Sequence, residues 1–295
     1  MTIFKNHLVH RITLSSDMKV LIRMIVLFLF SFGSLQSFSQ GKIDRSKQEV
    51  KKGNKRESRQ AGQSVQSTNN TADKSFGDIV FEGFLTGLAY VTWYTIAGSY
   101  KLEDHLHSNF TKYPYYNHYS GNYESTDSVS HSKIHFRFDI NNQFLYSNKD
   151  LIGNHLSCNI RPFRYFYLQG QFHQLTEYIA NNKNSSLSLY NLYFCYDRLR
   201  FEKFNAGFKL GMCYIANDVK AGGFSFGLNA EAFLIKPVSL YVSKQWGGIN
   251  RVAVNQFEVT GKFHLKRYSF NLGYEHLKIG SPLYDFVSLG AGIHL

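Results

Sequence analysis

Apolar and polar residues alternate with a period of two in segment after segment of the chain from about residue 131 onward. A strand whose two faces meet different surroundings has this period. The clearest runs are 134–140, 156–161, 204–212, 224–232, 257–265 and 268–275, with less regular ones near 163–175, 187–197 and 237–245 and a last one at 285–295. The pattern predicts ten strands.

The connections between these strands are predicted to be of two sorts. Those near 148–154, 175–187, 215–223, 245–252 and 278–285 are longer and rich in Asn, Gly and Lys, whereas those near 161–164, 197–203, 235–237 and 265–267 are mostly tight. The two sorts alternate along the chain, as do the external loops and periplasmic turns of bacterial outer-membrane barrels. An even number of strands also lets an antiparallel sheet close. The sequence therefore predicts an all-β protein, an antiparallel up-and-down transmembrane β-barrel of about ten strands.

The polar face of the predicted strands indicates what surrounds the barrel. A soluble barrel also alternates, but its water-facing side carries dense Lys and Glu. Here that face is mostly Ser, Asn and Gly. Its few charges are equal in number: Arg137, Arg161, Lys209 and Lys262 against Asp139, Glu231, Glu258 and Glu275. Because unpaired buried charge is costly, we predict that these residues face the lumen, pair there and leave no wide channel.

The last strand and the cleavage region carry a resemblance to a known family. Val287, Leu289, Ala291 and Ile293 alternate up to the final Leu295. This resembles the terminal strand signal of outer-membrane barrels, although that signal usually ends in Phe. Together with the Ser-Phe-Ser-Gln sequence at 37–40, residues 131–295 resemble the small outer-membrane barrels of Bacteroidota. The resemblance implies the lipid bilayer, lipopolysaccharide and the outer-membrane assembly machinery as partners, and it implies no activity.

The N-terminus predicts export. Lys19 and Arg23 precede an uncharged apolar run at 24–32, and the small residues Ser37 and Ser39 stand at the −3 and −1 positions of a cleavage before Gln40. The run is shorter than the roughly 20 residues that a membrane-spanning helix needs. Residues 1–39 are therefore interpreted as a secretory signal peptide, and the predicted location is the outer membrane.

Two further segments precede the barrel. Residues 40–75 are basic, rich in Ser, Gln, Asn and Gly, and poor in large apolar residues, so they are predicted to be a disordered periplasmic linker. Residues 76–130 are predicted to be a helical and aromatic pre-barrel segment. Apolar residues recur at helical spacing in 76–98, where an extra pair of strands is the alternative, and five tyrosines between 113 and 123 suit a cap or plug at the barrel mouth.

Candidate chemistry is sparse. Two His-x-Ser pairs, His118 with Ser120 and His155 with Ser157, are similar to the catalytic pair of outer-membrane acyl hydrolases. Pairs of this kind arise readily by chance, and the polar face that carries His155 is predicted to point inward. Neither a metal site nor a cofactor is predicted, and the positive charge lies mainly in the linker, which argues against nucleic acid as a partner. The leading hypothesis is a structural or binding barrel that acts through external loops, and the alternatives are a lipid acyl hydrolase or a small-solute pore.

Overall fold

Ten antiparallel strands close into an up-and-down barrel, as the alternation predicts. The computed structural model describes residues 41–61, 109–124, 136–179 and 183–295. The strands are β1 (Arg137–Asn148), β2 (Leu151–Arg161), β3 (Phe166–Ile179), β4 (Lys183–Phe201), β5 (Phe204–Ile215), β6 (Ala221–Ile235), β7 (Val238–Ile249), β8 (Val252–Leu265), β9 (Tyr268–Ile279) and β10 (Leu283–His294). Strand β1 pairs with β10 from Asp139↔His294 to Tyr146↔Val287, and this ladder closes the barrel. The predicted signal peptide and the predicted helix within 76–98 lie outside the described residues.

The predicted contrast between long loops and tight turns is wrong. Only Lys149 and Asp150 separate β1 from β2, and only Asn250 and Arg251 separate β7 from β8. Both residues of the second turn have positive φ, 52° and 64°, which is the backbone of a two-residue hairpin turn. The polar segments taken for loops instead continue the strands, because each added cross-strand pair satisfies backbone N–H and C=O groups.

Side chains divide between the two faces of the sheet as the period of two requires. Lys209 is 1% exposed, whereas its neighbour Leu210 is 39% exposed and Met212 is 60% exposed. Phe208 and Phe226 share this outward face, where they contact Tyr196 and Trp246 at ring-centroid distances of 5.4 and 5.1 Å. The apolar face therefore points away from the barrel axis and the polar face points into the lumen.

A helix closes one end of the barrel, where the sequence predicts disorder. Residues Lys42–Ala61 form α1, so the prediction of a disordered linker is wrong for this part of 40–75, while 62–75 lie outside the described residues. Ile43, Ser46, Lys47 and Val50 are buried at helical spacing, which places them on one face. Two apolar residues suffice because the barrel supplies the surface against which they pack. No helix among the described residues is both long and apolar enough to cross a bilayer.

Residues 109–124 occupy the opposite end of the barrel, and we call them the plug hairpin. Phe110 pairs with Tyr123 in an isolated bridge, and Thr111 N–H donates to Asn122 O at 2.8 Å. A Cβ at Gly121 would meet the Glu202 carbonyl oxygen in the turn between β4 and β5, so a residue without a side chain allows the close approach. We call this end the plug end and the other the α1 end. The start of β1 and the end of β10 lie at the plug end.

Candidate functional site

The inward side chains fill the lumen in three layers, and the layer at the α1 end is apolar. Its members come from α1 and from the strand ends around it: Ile43, Val50, Leu145, Leu151, Leu175, Leu187, Leu189, Cys213, Ile215, Ile249, Val254, Leu277, Ile279, Tyr284 and Phe286. Burying one such aliphatic side chain stabilises the packed state by about 1.5–3 kcal/mol. This layer is where α1 is anchored.

Polar contacts fix the position of α1 on this layer. The first N–H groups of the helix, at Lys42 and Ile43, donate to the Glu177 carboxylate of β3 at 3.2 and 2.9 Å. A carboxylate at a helix N-terminus satisfies free N–H groups and is favoured by the helix dipole. Ser46 Oγ donates to Ile279 O at 3.0 Å and lies 2.7 Å from Tyr284 Oη.

The outer edge of α1 carries a second anchor. Glu49 accepts from the Ser281 backbone N–H at 2.7 Å and from Arg45 Nε at 3.2 Å. Burial acts to raise the pKa of the Glu49 carboxyl, but the Ser281 hydrogen bonds and the Arg45 guanidinium outweigh it, so the pKa is lowered. On the far side of the helix Lys47 Nζ lies 3.2 Å from Asp218 Oδ2.

The layer at the plug end consists of ion pairs. Arg137 Nε lies 3.0 Å from Asp139 Oδ1, and Lys262 Nζ lies 3.1 Å from Glu231 Oε1. Arg161 lies between two carboxylates, 2.8 Å from Asp197 Oδ2 and 3.6 Å from Asp139 Oδ2. Apart from Lys262, which is partly exposed, the charged side chains of this layer have less than a tenth of their surface exposed. Charges at this depth need such partners.

The plug hairpin is bonded into the charged layer. Tyr123 Oη donates to Asp197 Oδ2 at 2.7 Å, and Asn122 Nδ2 donates to Glu231 Oε2 at 3.1 Å. Arg137 Nη1 donates to Thr111 O at 3.1 Å. Burial, followed by the Asp197 carboxylate, raises the pKa of Tyr123, so the phenol stays neutral and remains a donor. Strands and hairpin therefore form one hydrogen-bonded unit at this end.

The middle layer is mostly neutral and polar. Lys209 Nζ donates to Gln169 Oε1 at 3.1 Å, and Glu258 accepts from Gln143 Nε2 at 3.2 Å and from Thr260 Oγ1 at 3.0 Å. Glu275 contacts the rings of His155 and His173, at 3.0 and 2.8 Å. In this layer the charged groups meet amide, hydroxyl and imidazole partners.

All eight charges selected from the sequence point into the lumen, but only part of the set pairs with itself. The contacts Arg137–Asp139, Arg161–Asp139 and Lys262–Glu231 join members of the set. Glu275 instead contacts His155 and His173, while Lys209 and Glu258 contact amide and hydroxyl groups. Arg161 and Asp139 have further partners in Asp197 and His294. Sequence reasoning missed Asp197, His173 and His294, and it named His155 only as part of a His-x-Ser pair. Asp197 has the inward parity of Tyr193 and Cys195 and stands at the end of the run predicted near 187–197, so the parity of that run was the signal that could have found it.

The two His-x-Ser pairs lie in different places. His118 is exposed and stands in a short turn of the plug hairpin, with Ser120 partly exposed. His155 is 2% exposed in the lumen, where its Nδ1 lies 3.0 Å from Glu275 rather than facing the lipid side of the sheet. A lipid ester outside the barrel does not reach this ring.

Little free volume is left between the layers. A cavity of about 50 Å³ lies among Arg137, Asp139, Asn159, Gln169, Glu258 and Asn271, and one of about 10 Å³ lies among Asn191, Tyr193, Ser225 and Gln245. The first has room for a few water molecules, each of which needs about 10–15 Å³ on this measure. The interior is thus packed by side chains.

Comparisons with known proteins find only weak likenesses. No protein-family model matches the sequence, and no curated protein matches it. Among solved structures, the KdgM porin in complex with disordered oligogalacturonate is 9% identical and has a TM-score of 0.34, over 53% of this chain and 98% of that one. The Yersinia pestis outer membrane protein Ail is 11% identical, with a TM-score of 0.32 over 55% and 100%. An outer membrane channel from Pseudomonas putida F1 is 10% identical, with a TM-score of 0.31 over 58% and 100%. Likenesses this weak carry no statement about activity.

Proposed function

We propose that the protein is a transmembrane barrel of the bacterial outer membrane whose lumen is closed, and that it has a structural or binding role instead of forming a channel. The observation that carries the proposal is the inverted distribution of side chains. Ion pairs and amides fill the interior, while outward residues such as Leu289, 65% exposed, and Phe270, 58% exposed, are apolar.

The outward face favours hydrocarbon as its surroundings. Soluble monomers rarely expose a contiguous apolar patch above a few hundred Å². Here all ten strands turn apolar side chains outward, including Phe144, Phe194, Met212, Phe224, Leu228 and Phe270, each at least 43% exposed. In a bilayer the closed ladder also satisfies the backbone groups of every strand, so no edge is left exposed. The predicted signal peptide over 1–39 supports the same location.

The two closed ends argue against the pore alternative. A solute would have to displace α1 from its apolar layer and then pass the ion pairs around Arg161 and Asp197. The acyl hydrolase alternative also has little support, since His155 faces Glu275 in the lumen. Short connections leave few loops for binding, so we place the binding surface on the α1 end itself.

Lipopolysaccharide is the partner we propose for that end. Exposed cations gather there, on α1 and on the neighbouring turns: Arg45, Lys51, Lys52, Lys149, Lys220 and Arg251. Phosphate groups on lipid headgroups are attracted to such clusters, at about 1 kcal/mol for each Lys or Arg near a charged surface. In this arrangement the plug end, with the start of β1 and the end of β10, faces the periplasm. The helix α1 then lies at the external end, which differs from the periplasmic position that the sequence predicts for residues 40–75.

Detergent-purified protein in planar bilayers tests the closed barrel. We expect no conductance steps, together with heat-modifiable migration on a gel. Steady conductance of the wild-type protein would support the pore, and a chain that stays monomeric in water without detergent would exclude the membrane.

Reconstitution tests the proposed partner. The thermal midpoint should be higher in vesicles with lipopolysaccharide than in phosphatidylcholine alone, and the double variant Lys51→Glu/Lys52→Glu should lose that difference. The matched control is Lys203→Glu/Lys266→Glu, which reverses two exposed cations at the plug end. An equal loss in both variants would refute recognition by the α1 end.

A further inference from the structure

Two histidines and a glutamate from three strands converge in the middle layer of the lumen. His155 of β2 and His173 of β3 are direct cross-strand partners, and their rings stack with centroids 3.8 Å apart. Glu275 of β9 reaches both, with Oε2 3.0 Å from His155 Nδ1 and Oε1 2.8 Å from His173 Nε2. No more than 2% of any of the three side chains is exposed. One ligand atom from each lies within 4.8 Å of the others.

Gln256 of β8 is the fourth side chain at this point. Its Nε2 lies 3.0 Å from Glu275 Oε1 and 3.1 Å from His173 Nε2. Hydrogen bonds alone do not satisfy these contacts, because His173 Nε2 holds either one proton or one lone pair. When it carries a proton, two donors face each other, His173 Nε2–H and the Gln256 amide N–H. When it carries a lone pair, two acceptors face each other, His173 Nε2 and the Glu275 carboxylate.

Gln256 also holds an orphaned atom. Among the described residues its Oε1 is buried with no hydrogen-bond partner, which is costly for a carbonyl oxygen. Rotating the amide by about 180° about its last bond exchanges Nε2 with Oε1. The oxygen then points at the same spot as the Glu275 oxygen and the His173 nitrogen, so electron-pair donors surround one position.

A cation at that position removes the conflict. Imidazole nitrogens and carboxylate oxygens are the ligands of zinc, with bonds of about 2.0–2.2 Å. A tetrahedral ion with bonds of that length keeps its ligand atoms about 3.4 Å apart. The contacts of 2.8 to 3.1 Å around Glu275 Oε1 are close to this value, so small rotations bring Glu275, His173 and Gln256 to it. His155 Nδ1 contacts the other carboxylate oxygen, so this ring has to turn further towards the ion.

We propose that His155, His173 and Glu275 bind one Zn²⁺ ion, with Gln256 as the fourth ligand. The ion ties β2 and β3 to β8 and β9 across the lumen and acts as a structural crosslink. Because α1 and the charged layer enclose the site, the barrel acquires the ion as it closes.

Metal loading of the full protein tests the site. Protein purified in detergent is stripped by unfolding with a chelator, refolded with Zn²⁺ or Co²⁺, and dialysed. Elemental analysis should find one zinc per folded chain, and Co²⁺ should give the visible absorption of a tetrahedral complex. His173→Gln and Glu275→Gln should each weaken binding at least 100-fold, roughly the upper end of what outer-shell changes cost.

The control variant is His294→Gln, which removes another buried histidine, 2.6 Å from Asp139 in the charged layer, and should still bind one zinc. Heat-modifiable migration reports folding of each variant. Should His173→Gln fail to fold, zinc loading of the wild type and of Gln256→Leu decides. Gln256→Leu keeps three of the four ligands and should bind zinc more weakly than the wild type. Folded wild-type protein without stoichiometric zinc, or His173→Gln that binds zinc as the wild type does, would overturn the proposal.

Discussion

Docking of α1 rests on few apolar contacts, so a single truncation should loosen it measurably. Ile43 is fully buried in the apolar layer at the α1 end. Ile43→Ala removes about 2 kcal/mol, the lower end of the range for truncating a buried isoleucine. Because about 1.4 kcal/mol corresponds to a factor of ten, the undocked fraction of α1 should rise about 30-fold.

Limited proteolysis measures this fraction. Trypsin sites in α1, including Arg45 and Lys51, become cleavable when the helix leaves the barrel, so the cleavage rate follows the open population when reclosing is fast. Ile43→Ala in proteoliposomes should be cut about 30 times faster than the wild type. Gln48→Ala is the matched control, since Gln48 is exposed on the opposite face of α1. Equal cleavage rates for the two variants would refute the claim that the apolar layer holds the helix.

Two further outcomes follow from the contacts at the two ends. Tyr123→Phe removes the donor to Asp197 and should lower the free energy of unfolding by about 1–3 kcal/mol. Tyr113→Phe, on a half-exposed ring, should change this free energy little. Denaturant titration in detergent compares the two variants, and equal effects would contradict the role of the Tyr123–Asp197 hydrogen bond. Because its pKa is lowered in the folded state, Glu49 stabilises docking fully above its ordinary pKa, and this contribution is lost as the pH falls through the lowered value. Hydrogen exchange of α1 amides, corrected for intrinsic rates, should therefore rise at acid pH in the wild type and change less in Glu49→Gln. Identical pH profiles of the two proteins would contradict a role of the Glu49 carboxylate in holding α1.

Much of the barrel could be predicted from the sequence because its signal is repeated. Each strand contributes several alternations, and the inward Lys209 beside the outward Leu210 is one of many concordant pairs. The parity also selected the eight charged residues, which lie at inward positions of the strands. It could not identify their partners, because pairing depends on register and on distances across the lumen, as for Arg161 with Asp197.

The helix α1 shows why a local composition rule failed. Residues 40–75 carry too few apolar residues to form a core of their own, and the prediction of disorder followed from that. Ile43 and Val50 instead pack on strand ends that lie more than 90 residues away in the chain. Likewise, His155 and His173 meet Glu275 only after the barrel closes, so no spacing in the sequence marks the proposed zinc site.

The central claim is that hydrocarbon surrounds the apolar face, and the unfolding free energy of Leu289→Arg in phospholipid bilayers tests it most directly. Leu289 is in the middle of β10 and is 65% exposed on the outward face. Arginine on the lipid face near the bilayer midplane costs about 2–4 kcal/mol. We expect a loss of that size for Leu289→Arg and almost none for Gln48→Arg on the exposed face of α1. A neutral or stabilising effect of Leu289→Arg would mean that water touches this surface and would contradict the account.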